Sequence, residues 1–371
     1  MPRCFSLTAS RSWFYRTHFC NSGLRSTITD LGDGTVMHCW VPKTPKDSKP
    51  NLLLVHGFGA NAMWQWGDVV RLMVPHFNVF VPDLVFFGDS YTTLPHRSES
   101  FQAQCVMRVM EANGVRKVSV VGLSYGGFVA YRMAAQFRGE VERVVICCAG
   151  VCLEEKDFGE GMFRVSDLEE VGRILLPQTA DKMRELMSYT FVKPPKNVPS
   201  CLLQDFIDNF VSSFLGMAIN ELRGSRAWLV KAQPILFRKQ AELSALWLME
   251  LSAHLSETGL IKVMFTENVE EKKELIRALA KDRKLSDLPK IPQPTLIMWG
   301  EEDQVFPLEL GYRLKRHLGD NAQLVIVKKS GHAFVVEKPK ELFKHLKSFL
   351  IDSFRPTVSP LPNLQNQILT N

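Results

Sequence analysis

The stretch Val118-Ser119-Val120-Val121-Gly122-Leu123-Ser124-Tyr125-Gly126-Gly127 decides the fold. Its first half is a short, nearly continuous apolar run of the kind that fills a parallel strand buried on both faces. From Gly126 to Phe137 the pattern becomes helical, so strand passes to helix through a G-x-S-x-G turn. A crossing that tight leaves no space for a Cβ at Gly122 or Gly126. It would hold Ser124 on a strained elbow at the sheet edge, with the following helix N-terminus beneath any developing negative charge. The plain alternative is a glycine-rich turn with no chemistry.

Outward from this junction the alternation continues. Thr35–Val41, Asn51–Val55 and Asn78–Val81 read as strands on the N-terminal side, and Val141–Cys148 reads as one on the C-terminal side. Helical stretches lie between them, around Asp68–Met73 and Glu99–Glu111. After Gly150 helical periodicity takes over until about Leu288, and strands return at Thr295–Met298 and Gln323–Val327. Pro339–Phe354 reads as a closing amphipathic helix. Strands alternating with helices imply an α/β fold, a mostly parallel sheet flanked by helices, here with a helical insertion.

A serine hydroxyl needs a base, and the base an orienting acid. In the elbow arrangement these follow in the order Ser, acid, His. Asp303, in Trp299-Gly300-Glu301-Glu302-Asp303, follows one predicted strand, and His332, in Ser330-Gly331-His332, follows the next. Glu301 and Glu302 are the other candidates for the acid. His56, His76, His254, His317 and His345 lack either the order or the placement. After the strand ending at Val55 comes His56-Gly57-Phe58-Gly59, whose small residues let backbone N–H groups turn inward as an oxyanion hole requires. The natural donors are the N–H groups of Phe58 and Tyr125. The competing reading is dinucleotide binding, with Gly57-Phe58-Gly59-Ala60-Asn61-Ala62 as G-x-G-x-x-A and Asp83 as the distal acid. It leaves Ser124, Asp303 and His332 without a role.

The chain has 371 residues, 46% of them apolar and 23% charged, which excludes a disordered or disulfide-stapled chain. Its net charge is +6, and four of the excess positives (Arg3, Arg11, Arg16 and Arg25) precede the first acid, Asp30. The remainder is near neutral, so no nucleic-acid partner is expected. The acid-free, Ser/Thr-rich start fits a plastid or mitochondrial transit segment. It equally fits a basic arm packed on the fold or making peripheral membrane contact through Trp13, Phe14, Tyr15 and Phe19 in a cytoplasmic protein. No apolar run reaches the 18 or so residues of a membrane-spanning helix. The eight cysteines form no CxxC pair and no zinc-like spacing with histidine, so free thiols in a reducing compartment are expected. The expected organisation is a basic arm (1–26), core (27–151), helical lid (152–289), core again (290–352) and a loose tail (353–371).

The chain resembles the lid-bearing serine α/β-hydrolases, a family that includes monoacylglycerol lipases, carboxylesterases and carbon–carbon bond hydrolases. The matching residues are His56–Gly59, Asp83–Ser90 (DLVFFGDS), Gly122–Gly127, Trp299–Pro307 (WGEEDQVFP) and Gly331–Pro339 (GHAFVVEKP). Plant members that pair a GTVMHCWVP-like first strand with PDLVFFGDS are the most similar. Relatives with an aspartate nucleophile, the epoxide hydrolases and haloalkane dehalogenases, are disfavoured by Ser124. The resemblance implies Ser124 as nucleophile, His332 as base, Asp303 as acid, and Phe58 and Tyr125 as oxyanion donors. It implies hydrolysis of small-molecule carboxylic esters with apolar or monoacylglycerol-like acyl groups, without metal or organic cofactor. Phe86, Phe87 and Phe334 are candidate substrate contacts, with Phe128 and the apolar lid residues beside them. A hydrolase-fold receptor with little turnover and a carbon–carbon bond hydrolase are the alternatives. Residues 209–262 have no counterpart in the family's lid and read as an insertion or a gene-model artefact.

Overall fold

The computed structural model describes residues 7–208 and 267–352. The insertion at 209–262 and the tail from 353 lie outside the described residues. Among the described residues, nine strands form one sheet in the order β1-β2-β4-β3-β6-β7-β8-β9. They are β1 (Leu24–Asp30), β2 (Thr35–Pro42), β3 (Asn51–Val55), β4 (Asn78–Pro82), β5 (Tyr91–Thr92), β6 (Val118–Leu123), β7 (Val141–Cys147), β8 (Thr295–Gly300) and β9 (Ala322–Val327). β5 pairs only with β2. Strands β4 through β9 on that path run parallel, while β1 and β2 are antiparallel additions at one edge. This is the α/β architecture expected from the sequence.

The central strands are apolar throughout because both faces are covered. Leu52, Leu53, Leu54, Val120, Val121 and Ile297 have no exposed surface. At about 25 cal/mol per Å2 of apolar area, each such side chain contributes roughly 1.5–3 kcal/mol. Register places the C-terminal ends of β3, β6, β7 and β8 side by side, through the pairs Val55–Gly122, Leu123–Cys147 and Cys147–Met298. Ligands of open α/β sheets bind at such strand ends.

Helices α1 (Leu7–Asn21), α2 (Ala62–Trp66), α3 (Val70–Met73), α4 (Glu99–Ala112) and α5 (Tyr125–Gln136) belong to the first half. Helices α6 (Lys156–Gly159), α7 (Leu168–Leu175), α8 (Ala180–Thr190), α9 (Ser200–Asp208) and α10 (Val269–Ala280) fall within the helical insertion. Helices α11 (Leu308–Leu318), α12 (Phe334–Glu337) and α13 (Pro339–Leu350) complete the core.

Two elements depart from the expectations. Over its described length the N-terminal arm packs on the fold, as one of the expected readings has it, but it does so as a helix. Thr8, Ser12, Tyr15 and Phe19 of α1 are all buried at helical spacing, and the Phe19 ring lies 5.1 Å from that of Trp40. Only two of those four are apolar, which is why hydrophobic periodicity did not betray the helix. Strand β1 follows, pairing with β2 from Leu24–Pro42 to Asp30–Val36. Its sequence LRSTITD is largely polar because it is an edge strand with one face in water.

Candidate active site

At the end of β6 the chain turns into α5 through Ser124, whose φ is 53° and ψ −123°. A left-handed φ is costly for a residue with a Cβ and persists only where the surroundings enforce it. Here they do. The Ser124 N–H donates to the Cys147 carbonyl at 2.8 Å, and its carbonyl accepts from Gly127 N–H at 2.8 Å. A Cβ at Gly122 would collide with the Gly126 carbonyl, and one at Gly126 with the Val55 and His56 carbonyls. Ser124 remains 9% exposed at the floor of a cavity of about 670 Å3.

Asp303 and His332 meet as the chain order suggested. His332 Nδ1 lies 2.9 Å from Asp303 Oδ2, and the Asp303 side chain is fully buried. The other carboxylate oxygen accepts from Val305 N–H at 2.8 Å and Phe306 N–H at 3.0 Å. Trp299 Nε1–H donates to the Phe306 carbonyl at 3.0 Å, which fixes that loop against β8. Glu301 and Glu302 are exposed, and Glu301 accepts from Lys329 N–H instead. His332 lines the same cavity as Ser124, although Ser124 Oγ makes no hydrogen bond among the described residues. Such bonds are often loose before substrate is bound.

Phe58 and Tyr125 also line the cavity, and among the described residues neither backbone N–H has an acceptor. Helix α5 has no capping side chain, so its N-terminus opens on the cavity. His56 aims the other donor. Its Nε2 accepts from Leu84 N–H at 2.9 Å, which puts the ring proton on Nδ1, 2.8 Å from the Gly57 carbonyl. That carbonyl and the Phe58 N–H belong to one planar peptide and point in opposite directions. Drawing the oxygen toward His56 therefore turns the N–H away from it. Burial holds the His56 imidazole below its usual range, so it stays neutral in this role. Asp83, the acid of the dinucleotide reading, serves this loop too. It accepts from Ala62 N–H at 2.7 Å and pairs with His38 Nδ1 at 2.8 Å.

The candidate substrate contacts need correction. Phe86, Phe87 and Phe334 are 3%, 2% and 0% exposed, and none of them lines the cavity. The Phe87 ring packs 5.3 Å from both His56 and Phe58, so it supports the donor loop from behind. Phe128 is core as well, under Arg283 at 4.9 Å. The wall is formed instead by Phe158, Phe163, Phe206, Phe306 and apolar residues of α7, α8 and α10. Thr8, Arg11 and Tyr15 of α1 form one side, where Arg11 donates to the Tyr15 hydroxyl at 2.6 Å. The lid is tied to the histidine loop, because Ala333 N–H donates to the Thr190 carbonyl at 2.9 Å. Glu337 binds both sides, accepting from Gly331 N–H at 2.7 Å and Val192 N–H at 3.0 Å. Sequence reading missed His38, Glu337 and the α1 residues. The only signal for the α1 face was the i, i+4, i+7, i+11 spacing of Thr8, Ser12, Tyr15 and Phe19.

Comparison with known proteins agrees with this fold. The family profile described as alpha/beta hydrolase fold matches residues 50–339. Monoacylglycerol lipase ABHD6 of Mus musculus is 24% identical over 313 residues, which are 81% of this chain and 76% of that protein. Monoacylglycerol lipase abhd6-B of Xenopus laevis is 25% identical over 327 residues, 85% of this chain and 80% of that protein. A bacterial membrane phospholipase A superposes with a TM-score of 0.63 at 22% identity, covering 93% of this chain and 90% of that one. With the profile spanning most of the core and both halves of the sheet, the chain belongs to the alpha/beta hydrolase fold family.

Proposed function

We propose that this chain is a serine hydrolase that cleaves carboxylic esters of apolar, monoacylglycerol-like acyl groups through an acyl-enzyme. The observation that carries this reading is a strained serine at the floor of an apolar cavity also lined by the hydrogen-bonded His332 and by two unpaired N–H donors. Ser124 attacks the ester carbonyl while His332 takes its proton, and Asp303 steadies the imidazolium. The N–H groups of Phe58 and Tyr125 receive the tetrahedral oxyanion, each worth about 3–4 kcal/mol in comparable sites. His332 then protonates the leaving alcohol, and water repeats the sequence to release the acid. No step calls on a metal or an organic cofactor. The similarity to monoacylglycerol lipases supports the substrate class, and a cavity of about 670 Å3 has the size of a small-molecule site.

The described helices of residues 152–289 act as the lid and supply most of the acyl wall. Helix α1 completes that wall beside α9, where Thr8 N–H donates to Asp205 at 3.1 Å, and carries a second role. Trp13 and Phe14 are 54% and 56% exposed on its outer face, and the segment before Asp30 is purely basic. Exposed aromatics beside arginines suit peripheral contact with an anionic membrane surface. Among the described residues no helix is long and apolar enough to cross a membrane. Among the described residues the cysteines are free thiols, which suits a reducing compartment such as the cytoplasm.

An ester chain-length panel tests the proposal. The value of kcat/KM should rise from acetyl to medium-chain esters and monoacylglycerols, and Ser124→Ala should abolish it throughout. Stoichiometric ligand binding without multiple turnover would contradict it and favour a receptor. Preference for a vinylogous diketone over every ester would point to carbon–carbon bond hydrolysis instead.

A further inference from the structure

Cys148 stands one residue beyond β7, between the strand that carries Ser124 and the strand that leads to Asp303. The Cys147–Cys148 peptide bonds to both sides. Its carbonyl accepts from Ser124 N–H at 2.8 Å, and its N–H donates to the Met298 carbonyl at 2.9 Å. The Cys148 side chain is fully buried, on a backbone with φ of 44°. Its Sγ accepts from Gly300 N–H at 3.3 Å. The Sγ, an Asp303 carboxylate oxygen and a His332 ring nitrogen all lie within 4.8 Å of one another.

The ionisable groups facing this thiol are Asp303, His332 and the buried thiol of Cys147. Burial pushes the Cys148 thiol well up, and the Asp303 charge adds to the rise, so it keeps its proton. A protonated thiol beside a carboxylate can only donate to it. Since Gly300 N–H already occupies a sulfur lone pair, the S–H is free to turn toward Asp303.

We propose that Cys148 is a positioning residue for the triad acid, its thiol donating to Asp303 and limiting how strongly the carboxylate holds the proton of His332. This rests on the reading of Ser124, His332 and Asp303 as the catalytic set. The sign of the effect follows. Removing the donor leaves Asp303 a stronger partner for the imidazolium, so the base stays protonated to higher pH. A stronger donor does the reverse.

The test compares Cys148→Ala and Cys148→Ser in the full chain, measuring kcat and KM on one soluble ester across pH, with Tm for each variant. The acidic limb of kcat/KM reports the base of the free enzyme. The limb should move to higher pH in Cys148→Ala and to lower pH in Cys148→Ser. In Cys148→Ala, kcat near neutrality should fall by about three- to tenfold, with KM unchanged, as befits the loss of one hydrogen bond of ordinary strength from a weak thiol donor. If Cys148→Ala does not fold, Cys148→Ser decides alone by whether its limb moves down. Limbs that coincide with the wild type, even with a lowered Tm, would make Cys148 a packing residue and overturn the proposal. Failure of the underlying site assignment would be seen separately, as ester hydrolysis that survives Ser124→Ala.

Discussion

Ser124 sits at a φ of 53° with no side chain capping the helix it begins. That conformation costs about 1–3 kcal/mol, and it is held by the Cys147 carbonyl and by the absence of side chains at Gly122 and Gly126. Gly126→Ala would press a Cβ into the carbonyls of Val55 and His56. It is expected to lower Tm and to cut kcat/KM by about 10²-fold, the usual cost of a misplacement near 1 Å. His56 offers a cleaner probe, since it lies outside the cavity lining and reaches the donor through the Gly57–Phe58 peptide, while its Nε2 holds the Leu84 N–H. His56→Ala should lower kcat by up to the roughly 10²–10³-fold loss of one oxyanion donor, with KM nearly constant. An unchanged kcat in a folded His56→Ala protein would remove the histidine from that role.

The elements that carry the chemistry were legible in the sequence. β3, β6, β7 and β8 are short, mainly apolar runs, and the sheet places them at the expected positions. What escaped was built from polar residues with distant partners. His38 in β2 reads as an ordinary strand residue, yet it is buried against Asp83, 45 positions away. Phe86, Phe87 and Phe334 are core residues that sequence alone does not tell from cavity wall. An aromatic near a motif looks the same in sequence whether it faces a cavity or the core. The His38–Asp83 pair makes a pH prediction. For each group burial opposes the charge, but the partner outweighs it, so the imidazole is raised from 6.5 and the carboxyl lowered from 3.8. The Asp83 contribution is present above the ordinary carboxyl value and fades as pH falls through its folded value. The His38 contribution is present below pH 6.5 and fades as pH rises through its folded value. The Tm deficit of His38→Gln should therefore be largest near pH 5–6 and shrink above neutrality, by thermal unfolding in matched buffers. A deficit that grows steadily with pH would contradict the pair.

At the scale of the molecule, two separate segments enclose one cavity: the insertion between β7 and β8, and the N-terminal helix. Deleting residues 1–21 should raise KM for long-chain esters several-fold more than for acetyl esters, because α1 supplies wall and not chemistry. Equal changes for both would place α1 outside the acyl site. The charge excess also concentrates in that segment. Trp13→Ser with Phe14→Ser should reduce co-sedimentation with phosphatidylserine vesicles, and salt should reduce it for the wild type. Undiminished binding by the double variant would locate the membrane contact elsewhere. The kinetic effects all depend on one claim, that Ser124 is a nucleophile activated by His332 and Asp303. The most direct measurement is fluorophosphonate labelling of the full chain, with the modified residue mapped by peptide mass spectrometry. Labelling on Ser124 alone, lost in Ser124→Ala and strongly slowed in His332→Ala, is the predicted result. An unlabelled Ser124, or a label that persists elsewhere in Ser124→Ala at the wild-type rate, would contradict it.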